Sequence, residues 1–336
     1  MTGFTGFIVF VVLALVTVAW WSLPLLPAFR ELRGSAREPL AIPANHDGDA
    51  RHFAKRFREY VAIDSRRPAL GTTAEQFVTD GPPLRVFVAS GPLLIDQDWV
   101  SPGDIYAAKS VQGDGGVRVR GLLAEENIAL GERSEVRRWI HSCNDLTVGA
   151  SSVLHGRASA EGVLRVAEGT SFEWLSASRI ELGRVADSSP RTFTDRSADA
   201  MVTARTRKVD GDLEIPADSA LEEDVIATGS VRIGPRSVLA RSVKSHGTLV
   251  LGDEVKVLGS VISSRDVIVG DRCSIAGVVV AERSVQLGRE SRIGSDWALS
   301  TVCAPRISVA AGSVVFGTLW ARDGGSVCAA NAGASV

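Results

Sequence analysis

Histidine and cysteine are the residues here best suited to chemistry, so their spacing is the first question. His141, His155 and His246 could each serve as a general base, which requires an orienting carboxylate and a cleft. None stands beside a clear carboxylate partner. His246 falls at a Ser-His-Gly corner and His52 in a basic helical stretch, where both read as surface residues. Cys143, Cys273, Cys303 and Cys328 form no CxxC pair, and no histidine stands at metal spacing from any of them. Neither a zinc site nor a disulfide framework is therefore expected. A phosphate loop, a nucleophile elbow and HExxH are also missing from the sequence. No catalytic, cofactor-binding or metal-binding residue is assigned, and no enzyme activity is expected.

What the chain does have is a period. Ile215-Pro216, Ile233-Gly234, Leu251-Gly252, Val269-Gly270 and Leu287-Gly288 recur with a strict period of 18. Within that period every sixth residue is aliphatic or small, from Ile215 through Leu221, Ala227, Ile233, Leu239 and Ser245 on to Ile293 and Leu299. Three sixes make one turn of a triangular coil, and a fixed period marks a stacked array. The expected fold is all-β: a single-stranded parallel β-helix, triangular, with about 18 residues per coil. Val231 and Ile233 alternate with Arg232, as a strand with one buried face needs. Ile233, Leu251, Val269 and Leu287 should form one inward ladder, and Cys273 should share an inward column with Ser237, Val255 and Ser291. Gly234, Gly252, Gly270 and Gly288 are expected to relieve a sharp corner. Pro216 breaks that column, so its coil must turn differently. Asp253 and Asp271 fall one over the other, which disfavours the stack unless each is capped by a hydrogen bond.

Residues 1–27 differ in kind. Phe4 to Leu26 carries no charge and is long enough to cross a bilayer core. Trp20 and Trp21 fall near one end, where an interfacial belt belongs. Phe4, Trp20, Trp21 and Leu26 therefore mark an expected N-terminal transmembrane helix and lipid-bilayer anchor. Arg30, Arg33 and Arg37 follow it, with no Lys or Arg before it. The positive-inside rule then expects a single-pass protein of the inner (cytoplasmic) membrane, N-terminus out and body in the cytoplasm. A net charge of −2 gives no reason to expect nucleic acid.

The remainder divides by composition. Residues 28–83 read as a juxtamembrane linker with an amphipathic helix, in which Phe53, Phe57, Tyr60, Val61 and Ile63 share one face. That helix suits either the anionic membrane surface or the end of the array as a cap. A first β-helix block is expected over 84–183, a polar insertion loop over 184–210, a second block over 211–327 and a disordered tail over 328–336. The loop is either a contact element or a tolerated insertion. IELG at 180–183 arrives two positions early, and the step from Leu287 to Val309 is 22 instead of 18, so a bulge is expected near Cys303–Ile307. Between inward positions lie Val250, Ile268, Ile262 and Val280. These outward aliphatics are either an assembly contact or an expression of strand propensity.

The coils GSVRIGPRSVLARSV and GTLVLGDEVKVLGSVISSRDVIVGDRCSIAGVVVAERSVQLG resemble bactofilins, bacterial polymer-forming cytoskeletal proteins. The resemblance covers about 211–300 well and 117–183 weakly. It implies a right-handed β-helix and a membrane-anchored scaffold that self-assembles or docks other cell-envelope proteins. The [LIV]-G-x-x-[STVC] rhythm also resembles hexapeptide-repeat acyltransferases, which would imply a membrane-anchored enzyme using one of the three histidines. No cap is visible after Val309, so the last coil is expected to present an open rim to a neighbour.

Overall fold

The computed structural model describes residues 54, 55, 57–59, 61, 69, 70, 86–101, 103–183 and 206–329. They form an all-β solenoid of about twelve coils with about 18 residues per turn. Strand Leu213–Ile215 pairs in parallel with Val231–Ile233, and the ladder continues through Leu249–Leu251, Asp266–Val269 and Ser284–Leu287. Ala220–Leu221 begins a second ladder, and Thr206–Val209 begins a third that runs through Asp224–Ala227 and Val243–Ser245, so each coil of this block up to Ile293 contributes three short strands. Alternate residues point to opposite faces of each strand. Ile233, Leu251, Val269 and Leu287 stack inward and are almost fully buried. Each such side chain contributes roughly 1.5–3 kcal/mol.

Small polar residues line a second inward column. Ser237, Cys273, Ser291 and Ser313 donate to the carbonyls of Pro216, Gly252, Gly270 and Gly288, each in the coil before. Val255 occupies the same column without a polar atom. Burial pushes the Cys273 thiol up to about 12, so it stays a protonated small core residue.

The corners are built differently from expectation. Gly234, Gly252, Gly270 and Gly288 do not have the left-handed backbone. The left-handed residues sit two positions later, at Asp218, Arg236, Glu254, Arg272 and Glu290, with φ of 53–60°. A non-glycine residue there costs about 1–2 kcal/mol. The glycines answer a different demand, the close approach of stacked coils. A Cβ on Gly234 would lie 2.3 Å from the Ala217 nitrogen, and one on Gly288 would lie 2.4 Å from the Gly270 oxygen. Pro216 fits this account, because it belongs to the first coil of its block and no described coil lies beneath it. Asp253 and Asp271 are reconciled by stapling successive coils. Asp253 Oδ1 accepts from the Asp271 N–H, and Asp271 Oδ1 accepts from the Arg289 N–H.

The two blocks meet end to end. Strand Ser171–Leu182 belongs to the last coil of the first block, and strand Ser313–Cys328 to the last coil of the second. They pair antiparallel, with Leu175 opposite Leu319 and Ile180 opposite Val315. Backbone N–H groups of Gly169, Gly312 and Val327 donate across the junction to Val327, Leu182 and Thr170. These strands are 12 and 16 residues long, against 2–4 in the coils from Thr206 to Ile293. Each therefore keeps its pairing past a corner, with register shifts between Phe172 and Trp174 and between Ala177 and Ile180. The early arrival of IELG reflects this, since Leu164 pairs with Ile180 and Val166 with Leu182, two positions short of a full period. The open rim expected after Val309 is not there; the first block seals it.

Other boundaries shift. Strand Thr206–Val209 precedes the expected start of the second block. Most of the extra residues of the long step lie at the turn where Ser295 bridges Ala298, and the bulge expected near Cys303–Ile307 is present as a register shift between Ala304 and Arg306. Leu299 consequently leaves the inward series and is 62% exposed. Phe4, Trp20, Trp21 and Leu26 lie outside the described residues, as do 184–205 and 330–336. Among the described residues no helix is long and apolar enough to cross a membrane.

Close stacking makes a sharp prediction. Gly270→Ala is expected to lower stability in urea unfolding by about 1–3 kcal/mol, the usual cost of overpacking. Glu290→Asn, at a left-handed position that Asn tolerates, is expected to be neutral or stabilising. Equal tolerance of the two changes would contradict this role for the glycines.

Candidate functional site

Sealing one pair of rims leaves the opposite ends of the two blocks. In the second block, strands Thr206–Val209, Leu213–Ile215 and Ala220–Leu221 each have a partner on one side only, among the described residues. Their other edges carry backbone donors and acceptors available for pairing. Leu213 and Ile215 complete the inward ladders at this rim, and Val209 and Leu221 pack against the core from partly buried positions. Arg207 stands in register with Val225, an inward position, and is exposed. An inward charge on an edge strand is a device that restrains indiscriminate pairing. At the starting rim of the first block, strand Ala69–Leu70 lies against Val88 and Ala89.

The side walls hold the expected outward aliphatics. Val250 and Ile268 are register neighbours between Arg232 and Gln286. Ile262 and Val280 are neighbours on a different wall. All four are half-buried. The second column continues past them through Cys303 and Trp320, crosses the junction to Trp174, and ends beside Arg157. Trp174 and Trp320 stack at 5.3 Å, and the Arg157 guanidinium lies 4.2 Å from the Trp174 ring centre. One apolar wall thus runs across both blocks, with Trp320 44% exposed. Sequence spacing does not reveal that continuity, because it depends on the antiparallel junction.

No protein-family model, curated protein or solved structure matches this chain.

The three histidines do not converge. His246 is exposed at its corner. His155 Nδ1 lies 3.8 Å from a Glu173 carboxylate oxygen on an exposed surface. His141 is buried, with Nδ1 2.8 Å from Ser159 Oγ and Nε2 3.9 Å from Glu161.

Around His141 lies a polar cluster that the sequence reading missed. It forms where helical residues 54, 55, 57–59 and 61 pack on the outer wall of the first block. Phe87, Leu122 and Ile140 point into the solenoid, so their neighbours Val86, Leu123 and Trp139 point out. Ala54 and Phe57 bury themselves against these outward residues, and Phe57 meets Trp139 edge-on at 4.8 Å. Gly121 makes room for the Trp139 ring, since a Cβ there would lie 2.5 Å from it. The helix expected as an end cap or membrane element is therefore a pad on the side wall.

Arg58 fastens this pad. Its guanidinium forks onto both oxygens of Glu125, at 2.5 and 2.7 Å, and its Nη2 also lies 2.7 Å from Cys143 Sγ. Tyr106 donates its hydroxyl proton to Glu125 at 3.0 Å. Arg58, then Tyr106 and Cys143, hold the Glu125 carboxyl below its ordinary range against the opposing effect of burial. Burial first, and the bond to Glu125 second, push the Tyr106 hydroxyl up to about 12. Burial likewise pushes the Cys143 thiol up to about 12, against the pull of Arg58. Glu125, Cys143 and Glu161 follow one another at the coil period and were legible as a column in sequence; their meeting with Arg58 was not.

A lowered carboxylate pKa stabilises the folded state above the ordinary glutamate range. That stability is lost as pH falls through the lowered value. The pad is therefore expected to stay fastened at neutral pH and to loosen below about pH 4. Glu125→Gln should loosen it already at neutral pH. Amide exchange over residues 54–61 and Trp139 emission report both changes. A pad equally protected in Glu125→Gln and wild type would contradict the clamp.

Proposed function

We propose that this chain is a membrane-anchored, bactofilin-like scaffold that self-assembles or docks partners through its β-helix. The observation carrying this reading is the single-sided pairing, among the described residues, of the three strands at the rim of the second block. A solenoid rim is a sheet edge, and a sheet edge is satisfied by another edge. Within this chain that already happens once, where Ser171–Leu182 and Ser313–Cys328 join two rims antiparallel. The same chemistry at the remaining rim supports association with a second copy.

Two features bear on how such a partner would meet the rim. Glycines in the column of Pro216 accept the close approach of the preceding coil, and Pro216 has a ring in that place. A second copy therefore meets the strands flanking that corner, without extending the coil register through it. Arg207 selects a partner able to neutralise it, with an acidic residue or solvent at its position.

Further parts of the reading rest on pattern. Three strand ladders per coil support a triangular cross-section. The uncharged run from Phe4 to Leu26 supports an anchor in the inner membrane, with Arg30, Arg33 and Arg37 supporting a cytoplasmic body. Val250, Ile268, Ile262 and Val280 are lateral contacts in this reading, with the wall through Trp320 the more extensive of the two.

Sedimentation velocity of the full-length chain tests the proposal. The expected result is an elongated species that grows with concentration and is reduced by Leu213→Lys, which puts a charge at the rim. A monomer at every concentration and salt tested would overturn it.

A further inference from the structure

The polar cluster on the first block holds three different metal-ligating groups on two successive coils. His141 lies in strand Glu135–Ser142 and Cys143 directly follows its end, two positions on, so the alternation places both toward the same side. Glu161 follows Cys143 by one full period and lies one coil further along. One ligand atom from each residue lies within 4.8 Å of the others. In a tetrahedral zinc site, bonds of about 2.0–2.3 Å place ligand atoms about 3.3–3.8 Å apart. Closing the triangle therefore needs side-chain shifts on the order of 1 Å to reach those bond lengths, with no rearrangement of the ladder.

Surroundings also fit an ion. His141 is 2% exposed, and Ser159 Oγ at 2.8 Å from Nδ1 orients the ring. With Nδ1–H donating to that hydroxyl, Nε2 is the ligating nitrogen and faces Glu161. A divalent ion, one thiolate, one carboxylate and a neutral imidazole sum to zero charge. The neighbouring Arg58–Glu125 pair is neutral as well, so the occupied cluster carries no net charge against the wall. The combination of imidazole, thiolate and carboxylate suits zinc and its neighbours better than the hard cations magnesium or calcium.

We propose that His141, Cys143 and Glu161 form a binding site for a zinc-class divalent cation, with a water molecule in the fourth position. Binding forms bonds from the ion to Nε2, Sγ and a carboxylate oxygen, and the Cys143 thiol proton leaves to solvent. Sγ then exchanges its contact with Arg58 for the ion, while Arg58 keeps its fork on Glu125. The site lies beside Arg58 of the pad, so occupancy removes one of the contacts that hold the pad to the wall and leaves the fork on Glu125 to hold it. This inference does not depend on the assembly reading above.

Cobalt(II) titration of the metal-free, full-length chain tests it. One equivalent is expected to give tetrahedral ligand-field bands and a thiolate-to-cobalt charge-transfer absorption, both displaced by zinc(II). Cys143→Ser should abolish the charge-transfer band, and Cys303→Ser should leave it intact. Ser159→Ala should weaken binding about 10–100-fold, as loss of an orienting partner does. Glu161→Gln, on a partly exposed side chain, provides a ligand variant should His141→Gln fail to fold. Circular dichroism checks the fold of each. Absence of stoichiometric cobalt absorption, or a charge-transfer band that survives Cys143→Ser, would overturn the site.

Discussion

A solenoid coil leaves its amides and carbonyls satisfied on one side and open on the other until something covers its rim. In this chain the last coils of both blocks cover each other. Ser171–Leu182 and Ser313–Cys328 run antiparallel, so the coils advance in opposite directions toward a common plane. Everything else about the molecule's plan follows from that pairing. The chain leaves the junction at Gly183 and re-enters at Thr206, six coil steps away. At about 4.8 Å per step that is roughly 30 Å, well within the reach of residues 184–205 at about 3.4 Å each. The rims left over both belong to the starts of blocks, not to their ends.

Cohesion within each block comes from the inward ladders. Their aliphatic members contribute roughly 1.5–3 kcal/mol apiece, and they repeat in every coil. The corner ion pairs Asp218–Arg236, Glu254–Arg272 and Asp271–Arg289 also repeat with the coil, yet they lie in water and add little. The left-handed residues themselves form the first two pairs, which says more about which side chains a corner accepts than about what holds it. The carboxylates that staple one coil to the next, such as Asp253 onto the Asp271 N–H, have a clearer part, since they satisfy backbone groups that a turn would otherwise leave open.

The strict period made the coils readable from sequence, because each inward position is fixed by its own neighbours along the strand. Ile233, Leu251, Val269 and Leu287 stack as their spacing requires, and Cys273 sits in the column that its phase assigns. Relations between coils were less readable. Gly234 and its equivalents mark the corner in either interpretation, but only coordinates distinguish a left-handed turn from a crowded one. The junction pairs Ser176 with Thr318, far apart in sequence, and nothing in a repeat signals that its last member runs against another block. The cluster of His141, Cys143 and Glu161 was hidden for a similar reason. Motif spacings describe ligands on one helix or turn, whereas here a strand residue and the one just past that strand's end meet a third one coil later. Phe57 and Arg58 were legible as an amphipathic helix, but the wall that receives them was not.

The antiparallel junction can be tested directly by a double-cysteine cross-link between positions 176 and 318, whose side-chain oxygens lie 3.5 Å apart. In a Cys303→Ser background, the combined changes Ser176→Cys and Thr318→Cys should form an intramolecular disulfide under mild oxidation, seen as a mobility shift that reducing agent reverses. Cysteines that stay free, or that cross-link only between molecules, would contradict the joining of the two blocks through their last coils.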